Sequence, residues 1–320
     1  MAWHRPTIQG LDKAVGCLWV LACLLWLSST CPVRGEELPP GQKLQNPFFA
    51  MNFERGDPKM TASRTAQAKL VKELGYDGAL YLGPLEGLDA ALQVFDAEGM
   101  KLFAAAVQPY NLSVDPGQTC PEHLKEAARQ LKGRKTLLTI QFVSNAYPRG
   151  SVEGDRRAVE LARELADYAR PYGVRVLLYP HVRIWCERVD HAVRIAKQCG
   201  RENFGVCFNL SHWMWTDPQG DLESLVRGAM PYLFLVTING SQPHGTIETL
   251  DRGSYDVGGF LKPFIESGYR GPIGLQCCAL TGDARDKLTR SMEVWKKISA
   301  RLAAETKPSG KSGPTHSTRP

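Results

Sequence analysis

Two histidines stand where neighbouring strands of this chain are predicted to end. His181 follows the apolar run VRVLLYP, and His212 comes shortly after the run FGVCFNL. Because neighbouring parallel strands end at the same edge of a sheet, the two imidazoles could reach one bound atom as metal ligands, proton carriers or hydrogen-bond donors. Glu187 and Glu54, which also follow predicted strands, are further acid/base candidates. For each histidine alone, a hydrogen bond to the next loop explains its presence equally well.

Uncharged polar and aromatic side chains accompany the two histidines at the predicted strand ends. Amides bind hydroxyl groups as donors and as acceptors, and flat aromatic faces cover the apolar C–H side of a sugar ring. The alternative is that such residues only complete buried strands. Seven of the eight predicted strand ends offer a polar side chain, which favours a site for a small polar ligand. The residues assigned to substrate binding are Tyr179, Asn209, Asn239, Gln276, Trp185 and Trp213.

The elements that must position these side chains alternate between apolar runs and amphipathic helical stretches. Apolar runs are typical of parallel strands buried on both faces, and their alternation with helices predicts parallel strands joined by helical crossovers. Eight such units indicate the α/β class and a closed (β/α)8 TIM barrel over residues 46–304. An open doubly wound sheet is the alternative, but no GxGxxG turn follows the first run. The eight runs are 47–53, 78–82, 101–107, 136–142, 174–180, 204–210, 232–238 and 272–278.

The two ends of the chain differ in composition from its body. Residues 1–30 place 14 apolar residues behind basic ones, which is typical of a secretory signal peptide, with a single-pass anchor as the alternative. Residues 31–45 are interpreted as a polar linker and residues 305–320 as a disordered tail. These patterns predict an exported protein, periplasmic or extracellular, with no membrane span after signal cleavage. Residues 1–35 and 305–320 together carry +4 of the net charge of +6, so the near-neutral body argues against a nucleic-acid partner.

Other residues with reactive side chains are given structural roles. His191 lies within a predicted helix and is expected to be exposed to solvent. Cys186 and Cys199 flank that helix, and whether they pair is left open. No pair of the cysteines beyond the leader has metal-ligand spacing. Buried apolar thiols are expected at Cys207, Cys277 and Cys278.

Four motifs give the chain a resemblance to a known family. They are LGYDGALYL at 74–82, RPYGVRVLLYPH at 170–181, NFGVCFNLSHW at 203–213 and PIGLQCC at 272–278. With these motifs the chain resembles the xylose-isomerase-like barrels, the sugar phosphate isomerase/epimerase superfamily, over about residues 46–303. The resemblance implies a divalent metal ion held by Glu, Asp, His and Glu after the fifth to eighth strands. It also implies that two of those carboxylates move a proton next to a carbonyl group.

The chain departs from the family pattern at all four metal positions. Tyr179 stands at the first Glu position, Asn209 at the Asp position and Gln276 at the second Glu position, and Thr237 and Asn239 flank the place of the histidine. A hard divalent ion needs anionic oxygens, and neutral amides cannot accept a proton at neutral pH. We therefore assign no cofactor to the chain, and we predict that its metal site is degenerate because the family's carboxylate ligands are replaced. A softer metal held by His181, His212 and Glu187 is the alternative for the ion.

The first functional hypothesis is an exported sugar isomerase/epimerase-like enzyme that acts on a keto sugar or polyol by proton transfer. In this hypothesis His181, His212 and Glu187 are the catalytic residues. The second hypothesis is a non-catalytic barrel that binds carbohydrate or protein and has lost the family's carboxylates. The predicted partner is a small-molecule sugar or polyol, and the oligomeric state is left open.

Overall fold

The computed structural model describes residues 43–242 and 245–306. The predicted signal peptide at 1–30 lies outside the described residues, as do most of the predicted linker at 31–45 and of the predicted tail at 305–320. Within the described ranges, no helix is both long enough and apolar enough to cross a membrane.

Eight parallel strands close into a barrel, as the alternation of apolar runs predicts. Closure occurs where β3 (Lys101–Gln108) pairs with β5 (Leu137–Val143). Between them β4 (Asn111–Ser113), a short strand that the apolar runs do not predict, pairs with β5 outside the ring. The remaining strands are β1 (Phe48–Met51), β2 (Gly78–Pro84), β6 (Val176–Leu178), β7 (Phe204–Asn209), β8 (Leu233–Ile238) and β9 (Ile273–Gln276).

At least one helix follows each barrel strand and packs on the outside of the sheet. Their polar outer faces and apolar inner faces explain the amphipathic spacing in the sequence. The helices are α1 (Pro58–Ala62), α2 (Arg64–Glu73), α3 (Leu88–Ala97), α4 (Glu122–Gln130), α5 (Asp155–Ala169), α6 (Val189–Cys199), α7 (Leu210–Thr216), α8 (Leu222–Ala229), α9 (Val257–Glu266) and α10 (Ala284–Glu305).

Successive strand residues point alternately into the barrel and towards the helices. In β1, Phe48 faces outwards and stacks on Trp295 of α10, with ring centroids 4.1 Å apart. Phe49 and Met51 belong to the cluster that fills the barrel interior. This cluster separates a cavity at the carboxyl ends of the strands from a pocket at their amino ends, which Lys101, Thr136 and Arg175 line. The buried members of the interior cluster are Phe49, Met51, Ala104, Leu137, Leu177, Tyr179, Cys207 and Leu235.

The fold changes the expectation about His191 in α6 and answers the open question about the two cysteines that flank this helix. His191 is 1% exposed rather than solvated, because α6 turns it inwards against Trp185 and Asp155. Cys186 and Cys199 are both buried free thiols, so no disulfide links the two ends of the helix. The helix itself ends where expected, at Gly200, whose φ of 63° a residue with a side chain adopts less readily.

Candidate functional site

A cavity of about 160 Å³ lies at the carboxyl ends of the barrel strands. An engineered protein cavity of about 150 Å³ holds one benzene molecule, so this space suits a single small ring or short chain. One wall is apolar and includes Leu80 and Leu82 of β2 and Ala104 and Ala106 of β3. The buried or half-buried polar part of the lining includes Asn52, Thr139, Gln141, Tyr179, His181, His212 and Gln276.

The two histidines singled out in the sequence meet in this cavity. Their ring centroids lie 4.0 Å apart, with 49° between the ring planes. His181 Nδ1 donates to the carbonyl oxygen of Val182 at 2.7 Å, so in the neutral ring Nε2 carries the free lone pair. His212 is 9% exposed, and its buried Nδ1 has no hydrogen-bond partner among the described residues. The pair therefore presents one basic nitrogen and one unsatisfied imidazole to the same space.

Burial keeps both imidazoles neutral at physiological pH. It lowers the pKa of His212 to about 3, with a smaller effect of the neighbouring His181 in the same direction. Burial also lowers the pKa of His181, although the bond to the Val182 carbonyl opposes this shift. His181 is therefore the more basic ring, and His212 is suited to donate a hydrogen bond while neutral.

Asn209 connects the end of β7 to both histidine-bearing segments. Its Oδ1 accepts the backbone N–H of His212 at 2.8 Å, which caps the first turn of α7. Because a backbone N–H can only donate, the other side-chain atom of Asn209 must be the NH2 group. This Nδ2 donates to Tyr179 Oη and to Thr237 Oγ1, both at 2.6 Å. The strand-end amide thus aims its hydrogens, not an oxygen, at the centre of the site.

Gln276 repeats this arrangement at the end of β9. Its Oε1 accepts from Asn52 Nδ2 at 3.0 Å and from the backbone N–H of Cys278 at 3.2 Å. Its Nε2 then donates to Tyr179 Oη at 3.3 Å. Burial raises the pKa of Tyr179 far above its ordinary value, so the phenol stays protonated. Tyr179 is consequently the common acceptor of two amides, one at the end of β7 and one at the end of β9.

The donor set of this network does not fit the divalent ion that the resemblance implies. A hard cation binds anionic oxygens, but the network offers amide hydrogens and a neutral phenol that are already bonded to one another. In the described ranges, no group of three or more His, Cys, Asp or Glu side chains is placed to hold a metal ion. No step of the chemistry below is therefore assigned to a metal.

Two of the predicted sugar-binding residues, Trp185 and Trp213, lie in the protein core and not on the cavity wall. Trp185 is 1% exposed and packs edge-on against His191, with ring centroids 4.4 Å apart. Trp213 packs against Phe260, with ring centroids 5.8 Å apart. Their positions after strands gave no information about the direction in which the following loop or helix turns their side chains.

Asn239 and Glu187 also lie away from the cavity lining. Asn239 is fully buried, and its Nδ2 donates to the carbonyl oxygens of Gly240 and Thr246, which shapes the loop after β8. Glu187 accepts the backbone N–H of Arg183 at 3.2 Å and lies 3.3 Å from Arg149. Both side chains are thus engaged in holding loops.

Three residues at the cavity mouth were not assigned to the site from the sequence. Arg55, Tyr110 and Cys278 line it, although all three directly follow predicted strands or lie within one. The available signal was their strand-end position, which many other residues share. What distinguishes Arg55 is its charge, because no acidic residue belongs to the described lining of the cavity.

Comparison with known proteins gives a family and a set of similar folds. The family model described as "Xylose isomerase-like TIM barrel" matches residues 68–298. No curated protein matches the chain.

Among solved structures, D-allulose 3-epimerase from Methylomonas sp. has a TM-score of 0.62 at 16% identity, covering 81% of this chain and 99% of that one. The 3-keto-D-glucoside 4-epimerase YcjR from E. coli has a TM-score of 0.62 at 13% identity, with coverage of 79% and 99%. A xylose isomerase-like TIM barrel protein from Mycobacterium smegmatis in complex with magnesium has a TM-score of 0.59 at 18% identity, with coverage of 80% and 97%. At these identities the likeness concerns the fold.

Proposed function

The chain belongs to the xylose isomerase-like TIM barrel family, and from this premise we propose that its cavity binds a small keto sugar or ketone-bearing polyol. We further propose that it moves a proton beside the carbonyl group with His181 and His212 and without a divalent ion. The observation that carries this proposal is the contact of the two neutral imidazoles, 4.0 Å apart, in a cavity lined by amides and a phenol. Two of the similar folds are named as sugar epimerases.

His181 is the proposed general base. The hydrogen bond of its Nδ1 to Val182 fixes the tautomer and leaves the Nε2 lone pair available. In the proposed step the C–H bond next to the substrate carbonyl breaks and its proton moves to Nε2. The electron pair forms a carbon–carbon double bond, and the carbonyl oxygen gains the charge. Isomerisation is completed when the proton returns to the former carbonyl carbon and the hydroxyl proton of the attacked carbon passes to the former carbonyl oxygen. Epimerisation is completed when the intermediate turns in the cavity and the proton returns to the other face of the same carbon.

His212 is the proposed donor to the oxygen that gains charge. A neutral imidazole with a lowered pKa can polarise a carbonyl group without first transferring its proton, as the neutral histidine of triosephosphate isomerase does. The pKa of about 3 keeps His212 in that neutral form across the physiological range. Tyr179 and Gln276 line the same space and are the proposed partners of the substrate hydroxyl groups.

Solvent deuterium exchange tests this proposal even when the product of the reaction is unidentified. The full chain is incubated in D2O with a panel of keto sugars, and proton NMR follows loss of the signal next to the carbonyl. General acid–base groups contribute about 10²- to 10⁴-fold, so His181→Gln should reduce exchange by at least about 100-fold. His123→Gln is the matched control, because His123 binds the Pro109 carbonyl outside the cavity lining. Equal exchange by wild type and His181→Gln would overturn the proposed base.

Metal independence is tested in the same assay. Because Asn209 and Gln276 direct their amide hydrogens at Tyr179 and offer no oxygen there, exchange should continue unchanged in the presence of a strong chelator. Elemental analysis of the purified protein provides the second measurement. Exchange that stops with chelator and returns with added Mn²⁺ or Zn²⁺ would contradict this part of the proposal.

A non-catalytic binding barrel is the second candidate, and the closed amide–phenol network favours it. The four strand-end positions that correspond to the family's metal ligands carry neutral side chains. Among them, Asn209 donates hydrogen bonds to both Tyr179 and Thr237. Such a network fixes a shape without providing an acid. Saturable binding of a sugar together with no deuterium exchange on the whole panel would establish this candidate and exclude the first.

Export remains a proposal that rests on residues 1–30 alone. The expected outcome of expression in a bacterial host is a mature chain that begins shortly after the apolar segment and is found outside the cytoplasm. Mass spectrometry of the mature N-terminus measures this. An intact leader on a membrane-associated chain would favour the anchor instead.

A further inference from the structure

Arg55 places a full positive charge at the mouth of the cavity. It follows β1, lines the cavity and is exposed to solvent. No hydrogen bond or ion pair of its guanidinium with another described residue is present, and none of the described lining residues carries a carboxylate. Tyr110 and Cys278 line the same mouth. Burial raises the pKa of Tyr110, and the nearby Arg55 charge opposes that rise.

The loop that carries Arg55 is fixed from the other end of the chain. Buried Lys287 of α10 donates to the carbonyl oxygen of Arg55 at 3.0 Å. Asp57 accepts the backbone N–H of Ala284 at 2.9 Å. Between them Gly56 has a φ of 75°, and a Cβ there would lie 3.0 Å from the Thr281 backbone. The backbone of the arginine is therefore held in place before any ligand arrives.

The second exposed cation near the mouth lies on the opposite side of the site. Arg183 follows β6, and its charge contributes to lowering the pKa of His181. Its guanidinium is not part of the cavity lining. The cavity thus combines a hydroxyl-binding interior of neutral amides with a cationic entrance, and only Arg55 reaches the lining.

We infer that the ligand of this cavity is a sugar acid, a small polyhydroxylated molecule whose carboxylate binds the guanidinium of Arg55 while its hydroxyl groups meet the amides below. This inference rests on the proposed function, because it takes the cavity to be the substrate site. The planar fork of a guanidinium matches the two oxygens of a carboxylate. A phosphate would bring more charge than one arginine offsets, and no glycine-rich phosphate turn follows β1 in the sequence.

The test compares ligands that differ only in the anionic group. Ligand-observed NMR measures the affinities of the full chain for D-fructose and for 2-keto-D-gluconate, which carries a carboxylate in place of the first hydroxymethyl group. D-glucose, D-glucuronate and D-glucose 6-phosphate form a second series. A charge-assisted hydrogen bond is worth about tenfold or more in affinity, so the acids should bind at least that much more tightly than their neutral parents.

Three variants assign that preference to Arg55. Arg55→Met should bring the acid-to-neutral affinity ratio close to one, and Arg55→Lys should keep part of it because the charge remains without the fork. Arg183→Met is the matched control and should keep the wild-type ratio. Thermal unfolding of each variant checks that the barrel is intact, which is expected because both arginine side chains are exposed.

The following outcomes would overturn the inference that Arg55 binds the carboxylate of a sugar acid. Equal affinity of wild type for acids and parents removes it, as does a ratio that survives in Arg55→Met or falls equally in Arg183→Met. Tighter binding of D-glucose 6-phosphate than of D-glucuronate would show that the site prefers a phosphate to a carboxylate. Binding of neither series also removes it. Deuterium exchange without an acid preference leaves the proposed function standing, and an acid preference without exchange leaves the carboxylate site standing alone.

Discussion

Two buried histidine clusters lie on consecutive segments of this barrel, and they differ in how their charge is balanced. His181 and His212 face the cavity, where no described lining residue is acidic. His191 lies behind the cavity on α6, where its Nε2 is 3.1 Å from Asp155 Oδ1. Arg194 holds the same carboxylate through two bonds of 2.6 and 3.1 Å.

The difference shows that this fold accommodates a buried carboxylate when an arginine and an imidazole bind it. Burial lowers the pKa of His191 as it does for the cavity pair, but Asp155 opposes the shift, whereas His212 has no such partner. The lack of acidic residues in the cavity is therefore a property of that site and not of the barrel as a whole. One cluster fastens α5 to α6, and the other leaves its imidazoles unpaired for a ligand.

The largest expected effect is on the carboxylate of the structural cluster. Asp155→Ala leaves His191 and Arg194 without their shared acceptor and should lower the free energy of unfolding by about 3 kcal/mol. Urea unfolding measures this change. Glu160→Gln on the same helix is the control, because its ion pairs are exposed and should contribute at most about 0.5 kcal/mol. Similar losses in both variants would show that Asp155 does not fasten the two helices.

Acidification should lower the free energy of unfolding, because His212 has no acidic partner among the described residues that line the cavity. The folded-state pKa of His212 is about 3, below its ordinary 6.5, so the unfolded chain binds a proton that the folded chain excludes. Stability is therefore complete above pH 6.5 and decreases as the pH falls, by about 2 to 3 kcal/mol at pH 4.5 from this residue. Unfolding free energies across this range should fall less steeply in His212→Gln. Parallel profiles for wild type and variant would contradict the shift.

Placing a carboxylate beside Tyr179 at the cavity should make the two clusters more alike. Asn209→Asp removes the donor to Tyr179 and Thr237 and should cost about 1 to 3 kcal/mol in stability. Combined with Gln276→Glu, it should also give a Mn²⁺-dependent rise in melting temperature that wild type lacks. Asn239→Asp is the control, because this buried amide binds the backbone carbonyls of Gly240 and Thr246 and makes no bond to Tyr179; it should be destabilised without gaining that response. No Mn²⁺ effect in the double variant would mean that charge alone does not restore a metal site.

The smallest expected effect is at Glu187, which the sequence suggested as a catalytic residue. Its carboxylate pairs with Arg149, whose side chain is 58% exposed, so Glu187→Gln should change stability by less than about 1 kcal/mol. Deuterium exchange should stay within about twofold of wild type, because the carboxylate lies away from the cavity lining. A loss of exchange comparable to that of His181→Gln would return Glu187 to the catalytic group.

The fold could be predicted because its determinants are local. Runs such as 136–142 and 204–210 are mostly apolar, the helical stretches between them are amphipathic, and eight repetitions of this pattern define a barrel. The exception was β4, whose three residues carry too short a pattern to be recognised. His181 and His212 were found for a related reason, since the ends of neighbouring parallel strands must come together.

The sequence by itself determined the barrel, the strand-end positions and the neutral residue types at Tyr179, Asn209 and Gln276. Only the tertiary structure decided which neighbouring side chains enter the cavity. Trp185 turns into the core beside His191, while Arg55 reaches the mouth because Lys287, 232 positions later, holds its backbone. The physical reason is that strand burial follows a short repeating pattern, whereas the direction of a loop side chain depends on contacts with distant segments.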